Sequence, residues 1–287
     1  MFARLLMFAA MRTMVDGIAV YRIGSGGPTV VYLPGAGLVG LDYLNLTGVP
    51  GATHVLYDRG GTGWSEPVEL PRSAAAVATE LRAVLGDGPF VLVGHSMGAI
   101  YARRFAQLFP DDVAGLLLLD PGHEDLFDYL PPEAAALNEQ MKPADLPDLT
   151  PEQITAATAA YEKLLAEWPG QTRAELIEQH LTHWRTGLAE AANLESEIYD
   201  EVRHGGPVPD VPAIVLTAGG GNPVWSSVAP PEMVKQALDG IDRLHATIAA
   251  SFTRGEHRRI DGASHQFLHI EQPEPIRAAL RDLLRQV

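Results

Sequence analysis

The chain has 287 residues, 46% of them hydrophobic, which suits one large domain or one domain with an insertion. Its net charge of −15 argues against nucleic acid or an anionic membrane as a partner, because both are bound through basic patches. The sequence contains no cysteine, which excludes disulfides, a thiol nucleophile and a cysteine-bound metal, and which fits a cytoplasmic protein.

The N-terminal segment, MFARLLMFAAMRTM, contains an apolar run from Leu5 to Met11. The run is too short to span a membrane, and no convincing cleavage site follows it, so neither a membrane span nor a signal peptide is expected. We interpret the segment as a short amphipathic lead-in. The folded pattern begins near Val15, which makes Met11 and Met14 alternative starts.

Strand-like apolar runs then alternate with helical patterns along most of the chain. The first two predicted strands are separated by Gly-Ser-Gly-Gly-Pro, which predicts a hairpin. The alternation as a whole predicts an α/β fold with a mostly parallel sheet covered on both faces. The predicted strands are 18–23, 29–33, 54–57, 90–93, 113–119, 213–217 and 257–260, and the predicted helices of the core are 73–85, 97–109, 231–252 and 275–285.

Residues 124–209 break this alternation, because they carry only helical patterns interrupted by prolines. The sequence therefore predicts a core formed by residues 1–123 and 210–287 and an inserted helical cap formed by residues 124–209. A helical insertion between two strands is expected to cover the carboxyl edge of the sheet, where ligands bind in such folds.

One serine lies between two glycines where the predicted strand 90–93 gives way to a helix, in the sequence FVLVGHSMGAIYARRF. Gly94 and Gly98 permit a close approach of the strand and the helix, and Ser96 lies at the apex of the turn. Glycine and serine are also common in ordinary turns. The strand before and the helix after are nevertheless the context of a nucleophile elbow, so we predict Ser96 as a catalytic nucleophile.

A serine hydroxyl needs a neighbouring base, an acid that orients the base, and donors that stabilise an oxyanion. We predict His265 as the base, because it lies in a Gly/Ser loop just after the predicted strand 257–260. His95, inside the elbow, is expected to point away from the serine. His265 and His269 also have the spacing of a metal-binding pair, but His265 lies in a loop and a third ligand is lacking. We expect no metal and no other cofactor.

The predicted oxyanion hole combines the backbone N–H of Ala36 with that of Met97, the residue after the nucleophile. Ala36 lies between Gly35 and Gly37 at the end of a predicted core strand. A glycine-rich phosphate loop is the alternative interpretation, but the Lys-Ser/Thr ending and the G-x-G-x-x-G spacing are both missing.

Four segments together resemble the α/β-hydrolase superfamily, in particular its capped esterase, lactonase and haloalkane-dehalogenase-like members. They are PGAG at 34–37, YDRGGTGWS at 57–65, GHSMG at 94–98 and GASH at 262–265. The resemblance covers nearly the whole chain outside the cap and implies the α/β-hydrolase fold with a cap. It also implies a structural role for Asp58 and Arg59.

The sequence departs from the superfamily's pattern at two positions. Pro34 stands where members usually carry histidine, but the oxyanion donor is a backbone group, so Ala36 can still supply it. Ser96 stands where dehalogenases and epoxide hydrolases carry the aspartate that attacks, which argues against both of those chemistries.

Several residues are candidates for the acid. The superfamily usually places it after the strand that follows the cap, but residues 218–223 offer only Asn222 and no carboxylate. Asp120 ends the apolar strand predicted at 113–119, a position that some relatives use. We predict Asp120 as the acid, with Glu124 or Asp125 and then Asn222 as alternatives.

These residues predict a serine hydrolase that cleaves a carboxylic ester or lactone through an acyl-enzyme. Acyl transfer or carbon–carbon bond hydrolysis on the same triad is an alternative, and so is a non-catalytic ligand-binding receptor. The expected partner is a small, largely apolar substrate bound by Trp168 and Trp184 of the cap and by Trp225. The same rings also have an interpretation as packing between cap and sheet.

Overall fold

A mixed sheet lies at the centre of the protein, with helices on both of its faces. The structure is a computed structural model that describes residues 11–140, 147–221 and 227–287. Within these ranges eight strands form one sheet in the order β1-β2-β4-β3-β5-β6-β7-β8. The strands are β1 (Arg12–Val15), β2 (Ile18–Ile23), β3 (Thr29–Leu33), β4 (Thr53–Tyr57), β5 (Phe90–His95), β6 (Val113–Leu119), β7 (Ala213–Ala218) and β8 (Gly255–Ile260).

The sheet is parallel from β4 to β8 and antiparallel at its β1–β2 edge. Strand β2 pairs antiparallel with β1 and β4, whereas β3 lies between β4 and β5 and pairs parallel with both. The predicted hairpin of residues 18–23 with 29–33 is therefore wrong. The residues of β3 are almost completely buried, and β3 has a strand on each side. Strand β2 pairs instead with β4 and with residues 12–15. Residues 12–14 belong to the predicted lead-in, whose residues 1–10 lie outside the described ranges.

Side chains that alternate along the central strands form two apolar layers, one on each face of the sheet. In β3, Val31 and Leu33 belong to one layer, and Val30 and Tyr32 belong to the other. The helices are α1 (Ala74–Leu85), α2 (Met97–Leu108), α3 (Leu126–Tyr129), α4 (Pro132–Gln140), α5 (Pro151–Leu164), α6 (Gly170–Thr182), α7 (Thr186–Ala191), α8 (Tyr199–Arg203), α9 (Pro231–Ala250), α10 (Leu268–Glu271) and α11 (Pro273–Leu284). Helices α1, α2, α8 and α9 contribute to the first layer, and α6 and α11 contribute to the second. In the described ranges no helix has both the length and the apolar character needed to cross a membrane.

The chain between β6 and β7 forms helices α3 to α8, with no strand among its described residues. We call residues 124–209 the helical insertion. Buried polar contacts join it to the stretch that follows β3: the indole N–H of Trp168 donates to the carbonyl of Leu41 at 2.9 Å, and His180 Nε2 lies 2.9 Å from Asp42 Oδ1. These contacts hold the insertion against the chain that leaves the carboxyl edge of the sheet.

Candidate active site

Ser96 occupies the turn between β5 and α2 in a strained backbone conformation. Its φ of 52° and ψ of −120° lie in a region that residues with a side chain rarely adopt. Helix α2 begins immediately afterwards and approaches β3 closely, because a Cβ at Gly98 would lie only 2.0 Å from the carbonyl oxygen of Leu33. The structure thus places Ser96 at the apex of the turn, as the sequence predicts.

Three of the predicted residues come together at the carboxyl edge of the sheet. Ser96 Oγ lies 3.0 Å from His265 Nε2, and His265 Nδ1 lies 2.5 Å from Asp120 Oδ2. The serine follows β5, the aspartate follows β6, and the histidine follows β8. Because the carboxylate accepts the Nδ1–H, Nε2 is the nitrogen available to take a proton from the serine.

Both oxygens of the Asp120 carboxylate are hydrogen-bonded. Oδ2 faces His265, and Oδ1 accepts the backbone N–H of Ala218 at 2.8 Å. Asp120 is buried, and its positive φ of 42° marks a second strained position at the end of a strand. The carboxylate is therefore held in one orientation toward the imidazole.

The other candidates for the acid lie elsewhere. Both oxygens of Glu124 pair with Arg103, at 2.6 and 2.8 Å. The half-exposed carboxylate of Asp125 lies 3.3 Å from Arg203. Asn222 is outside the described residues. Of the described candidates, Asp120 is the one that reaches His265.

The contact between Asp120 and His265 favours the charged form of each. Burial would lower the pKa of His265, but the hydrogen bond and the charge of Asp120 outweigh it and raise this pKa above its ordinary value of 6.5. Burial would likewise raise the pKa of Asp120, but the hydrogen bond and the charge of His265 hold it below 3.8. The site can therefore stabilise an imidazolium with a carboxylate that stays ionised.

The two backbone N–H groups predicted to form an oxyanion hole belong to Ala36, in the loop after β3, and to Met97, directly after Ser96. Residues 34–38, which we call the β3 loop, lie against Ser96, since a Cβ at Gly35 would be 3.4 Å from Ser96 Cβ. The other N–H groups of the β3 loop have acceptors: Gly35 donates to Tyr43 Oη, Gly37 to Glu190 Oε2 and Leu38 to the Gly35 carbonyl. Within the described part of the chain the Ala36 N–H has no acceptor. Met97 is the first residue of α2, so its own N–H has no acceptor within the helix.

His95 contacts the backbone of His265 and not the hydroxyl of Ser96. Its Nε2 lies 2.8 Å from the carbonyl of His265, which can only accept, so Nε2 carries the proton. Its Nδ1 then accepts from the hydroxyl of Tyr43 at 2.7 Å, and that oxygen accepts the N–H of Gly35 at 3.2 Å. Burial and the neighbouring His265 lower the pKa of His95 to about 3, which keeps the ring neutral. A series of hydrogen bonds thus connects the β3 loop to the backbone of His265.

Nothing in the sequence connects Tyr43 to these hydrogen bonds. Tyr43 lies 52 residues before His95, and no spacing connects them. His269, the other half of the conceivable metal pair, is fully buried and stacks on the Tyr43 ring with centroids 4.2 Å apart. The described residues contain no group of three or more histidine, aspartate or glutamate side chains arranged to hold a metal ion.

The three tryptophans expected to contact substrate have different surroundings. Trp168 is buried between the helical insertion and the core, which corresponds to its interpretation as packing. Trp184 is half-buried, with the guanidinium carbon of Arg185 4.2 Å from its ring centroid. Trp225 lies outside the described residues. Substrate contact by Trp184 stays a prediction.

Comparison with known sequences connects the chain to hydrolases. The pattern of the alpha/beta hydrolase family matches residues 30–279. Lipase LipV of Mycobacterium tuberculosis (strain ATCC 25618 / H37Rv) is 30% identical over 207 residues, which are 66% of this chain and 74% of that protein. The chain also matches longer proteins, of whose length it spans 13% or less.

Solved structures show the same fold at low sequence identity. A thermophilic esterase from Thermogutta terrifontis has a TM-score of 0.60 and 20% identity over 96% of this chain and 98% of that chain. A Vigna radiata epoxide hydrolase mutant has a TM-score of 0.62 and 16% identity over 96% of this chain and 98% of that chain. These likenesses and the family match confirm the predicted α/β-hydrolase fold.

Proposed function

The chain belongs to the alpha/beta hydrolase family, and from its site we propose that it cleaves carboxylic esters or lactones through a serine acyl-enzyme. The observation that carries this proposal is the hydrogen-bonded chain from Ser96 Oγ through His265 to Asp120, with distances of 3.0 and 2.5 Å. It supplies a nucleophile, a base and an acid in the chain order serine, acid, histidine that this architecture uses.

In acylation, His265 Nε2 takes the proton of the Ser96 hydroxyl while Oγ bonds to the carbonyl carbon of the substrate. The carbonyl oxygen becomes negative and accepts hydrogen bonds from the N–H groups of Ala36 and Met97. Asp120 stabilises the imidazolium without taking its proton. The bond from the acyl carbon to the leaving oxygen then breaks, His265 donates its proton to that oxygen, and the acyl group remains on Ser96.

In deacylation, water attacks the acyl group and Ser96 is the leaving group. His265 takes a proton from water as the water oxygen bonds to the acyl carbon, and the same two N–H groups hold the second oxyanion. The bond to Ser96 Oγ breaks, and the serine regains a proton from His265. A lactone follows the same route, but its leaving hydroxyl stays attached to the acyl group, so the product is one hydroxy acid.

The hydroxyl at position 96 favours acyl chemistry within this family. Opening an epoxide or displacing a halide in this fold is expected to use an attacking carboxylate at the elbow, and this chain has a serine there. The name of LipV, a lipase, supports the same choice. A largely apolar acyl group is part of the proposal and rests on the aromatic residues of the insertion.

The test compares wild type, Ser96→Ala and Ser251→Ala on p-nitrophenyl esters from acetyl to dodecanoyl and on a panel of lactones. We expect Ser96→Ala to lose about three orders of magnitude or more in kcat. Ser251 is an exposed serine whose hydroxyl donates to the Ile248 carbonyl, and its loss is expected to leave kcat unchanged. Full activity of Ser96→Ala would end the proposal, and a preference for short charged acyl groups would contradict the apolar substrate.

A further inference from the structure

A buried ion pair joins the helical insertion to the chain that follows β4. Glu190 in α7 and Arg59 approach to 2.7 Å, and their side chains are only 3% and 1% exposed. The two oxygens of Glu190 have different partners: Oε1 accepts from Arg59, and Oε2 accepts the N–H of Gly37 at 2.9 Å. A buried charge is costly unless all its hydrogen-bonding groups are satisfied, and this pair is satisfied largely by the β3 loop.

The pair holds successive peptide groups of the β3 loop. Arg59 donates to the carbonyl of Pro34 at 2.6 Å and to the carbonyl of Gly35 at 3.0 Å. Glu190 holds the N–H of the peptide group that ends at Gly37. A trans peptide group is planar and its N–H points opposite to its C=O, so a bond at one end sets the direction of the other.

The N–H of Ala36 belongs to the peptide group whose carbonyl is held by Arg59. The next peptide group is held by Glu190, so Ala36 lies between two fixed planes. We propose that Glu190 is a positioning residue which, with Arg59, directs the N–H of Ala36 at the oxyanion. This inference rests on the proposed function, because the oxyanion forms in acyl transfer.

Helix α7 lies close enough to the β3 loop for the Glu190 carboxylate to reach it. Gly187, three residues before Glu190, lies against the β3 loop, and a Cβ added to it would be 2.9 Å from both Cα and N of Gly37. A larger residue would hold α7 away from the loop. The oxyanion hole is thus assembled by the core and the insertion together, and it is complete only while α7 is docked.

A single substitution would leave one buried charge without its partner, so two double variants are compared. Arg59→Met with Glu190→Gln removes both charges and keeps a side-chain oxygen for the N–H of Gly37. Arg59→Met with Glu190→Leu removes the charges and that acceptor. The comparison isolates the hydrogen bond that residue 190 accepts from the N–H of Gly37.

We expect the Leu double variant to lose about 100-fold in kcat relative to wild type, the typical effect of losing one oxyanion-hole donor. KM should change little, and the affinity for a trifluoromethyl ketone that forms a tetrahedral adduct should fall in parallel with kcat. The Gln double variant should recover about tenfold of the lost kcat, from its uncharged hydrogen bond. A purely structural role would lower the melting temperature and the fraction of sites titrated by a fluorophosphonate while leaving kcat per titrated site equal in both variants, which would overturn the inference.

Amide hydrogen exchange of residues 34–38 separates this inference from the proposed function. If wild type neither hydrolyses esters nor reacts with the fluorophosphonate, the proposed function fails, but exchange still reports whether Glu190 holds the loop. Faster exchange at Gly37 in the Leu than in the Gln double variant is the expected result. Equal exchange in the two variants, or hydrolysis by the Leu variant within twofold of the Gln variant, overturns the positioning role.

Discussion

The carboxylate of Asp120 and the backbone N–H of Ala218 are joined by a 2.8 Å hydrogen bond. Ala218 is the last residue of β7, the strand after which the acid is usually expected in this superfamily. In this chain β7 supplies a backbone donor to a carboxylate that comes from the end of the neighbouring strand, β6. The Asp120 carboxylate thus comes from a different strand, yet it reaches His265.

Replacing Asp120 with asparagine should lower kcat by about four orders of magnitude near neutral pH. An amide does not stabilise the imidazolium of His265, and it favours the wrong tautomer of the ring. Asp125→Asn is the matched control, because that carboxylate is half-exposed and faces Arg203, so its kcat is expected to equal that of wild type. Steady-state kinetics check both, and an Asp120→Asn enzyme within tenfold of wild type would assign the acid to another residue.

The pH profile of kcat/KM should follow the pKa of His265. Nε2 must be unprotonated to take the serine proton, so activity is full above this pKa and falls as the pH drops through it. Although burial opposes it, Asp120 raises this pKa, and the midpoint of the acidic limb is therefore expected above 6.5. In Asp120→Asn the midpoint should move to lower pH, because burial then acts alone. A wild-type midpoint below 6.5 would contradict the electrostatic description.

Tyr43→Phe should reduce the free energy of unfolding by about 1–3 kcal/mol, because it leaves the buried N–H of Gly35 without its acceptor. The same change removes the donor to His95 Nδ1. Tyr57→Phe is the control: Tyr57 is equally buried, but its hydroxyl has no hydrogen-bond partner in the described part of the chain. Urea unfolding of both variants provides the measurement, and equal losses would argue against the hydrogen-bonded chain behind the site.

The pair of His180 and Asp42 should make docking of the insertion depend on pH. Burial would lower the pKa of His180, but the charge and the hydrogen bond of Asp42 outweigh it and raise this pKa. The stabilisation is therefore fully present below the unfolded-state pKa and is lost as the pH rises through the raised folded-state pKa. The difference in unfolding free energy between wild type and His180→Gln should be larger at about pH 5 than at about pH 9.

His204→Gln is the control for this measurement, because His204 is exposed. Its replacement should change the unfolding free energy by no more than about 0.5 kcal/mol, as surface substitutions usually do. A difference for His180→Gln that stays constant with pH, or that is smaller at about pH 5 than at about pH 9, would contradict the raised pKa of His180.

Gly187→Ala should lower kcat, because the added Cβ would meet the backbone of Gly37 at 2.9 Å and displace α7 from the β3 loop. Gly170→Ala provides the control at the start of α6, where a Cβ would meet nothing within 4 Å. Kinetics and thermal unfolding of both variants separate the effects. An unchanged kcat in a folded Gly187→Ala enzyme would show that close docking of α7 is not required.

The residues of the proposed triad could be expected to meet because each follows a strand that is visible as an apolar run. Ser96, Asp120 and His265 come after β5, β6 and β8, and parallel strands bring their carboxyl ends to one edge. The pairing of the strands was harder to predict from the sequence, as the wrong hairpin of β2 with β3 shows. Local patterns identify a strand, but its neighbours are decided by contacts distant in sequence.

The buried contacts around the proposed site could not be predicted from sequence spacing. Glu190 lies 131 residues after Arg59, in a short helix whose charged residues would ordinarily be exposed. Tyr43 likewise has no sequence feature that connects it to His95. These contacts depend on how the insertion and the β3 loop meet, which only the folded chain reveals.

Trapping the acyl-enzyme tests the central claim most directly. Wild type is mixed with a slowly deacylating ester, quenched in acid during the first turnover, digested and mapped by mass spectrometry. The account predicts one acyl group per chain, on Ser96, with none in Ser96→Ala and little in His265→Ala. Hydrolysis of the ester with Ser96 unmodified, or an acyl group on any other residue, would contradict it.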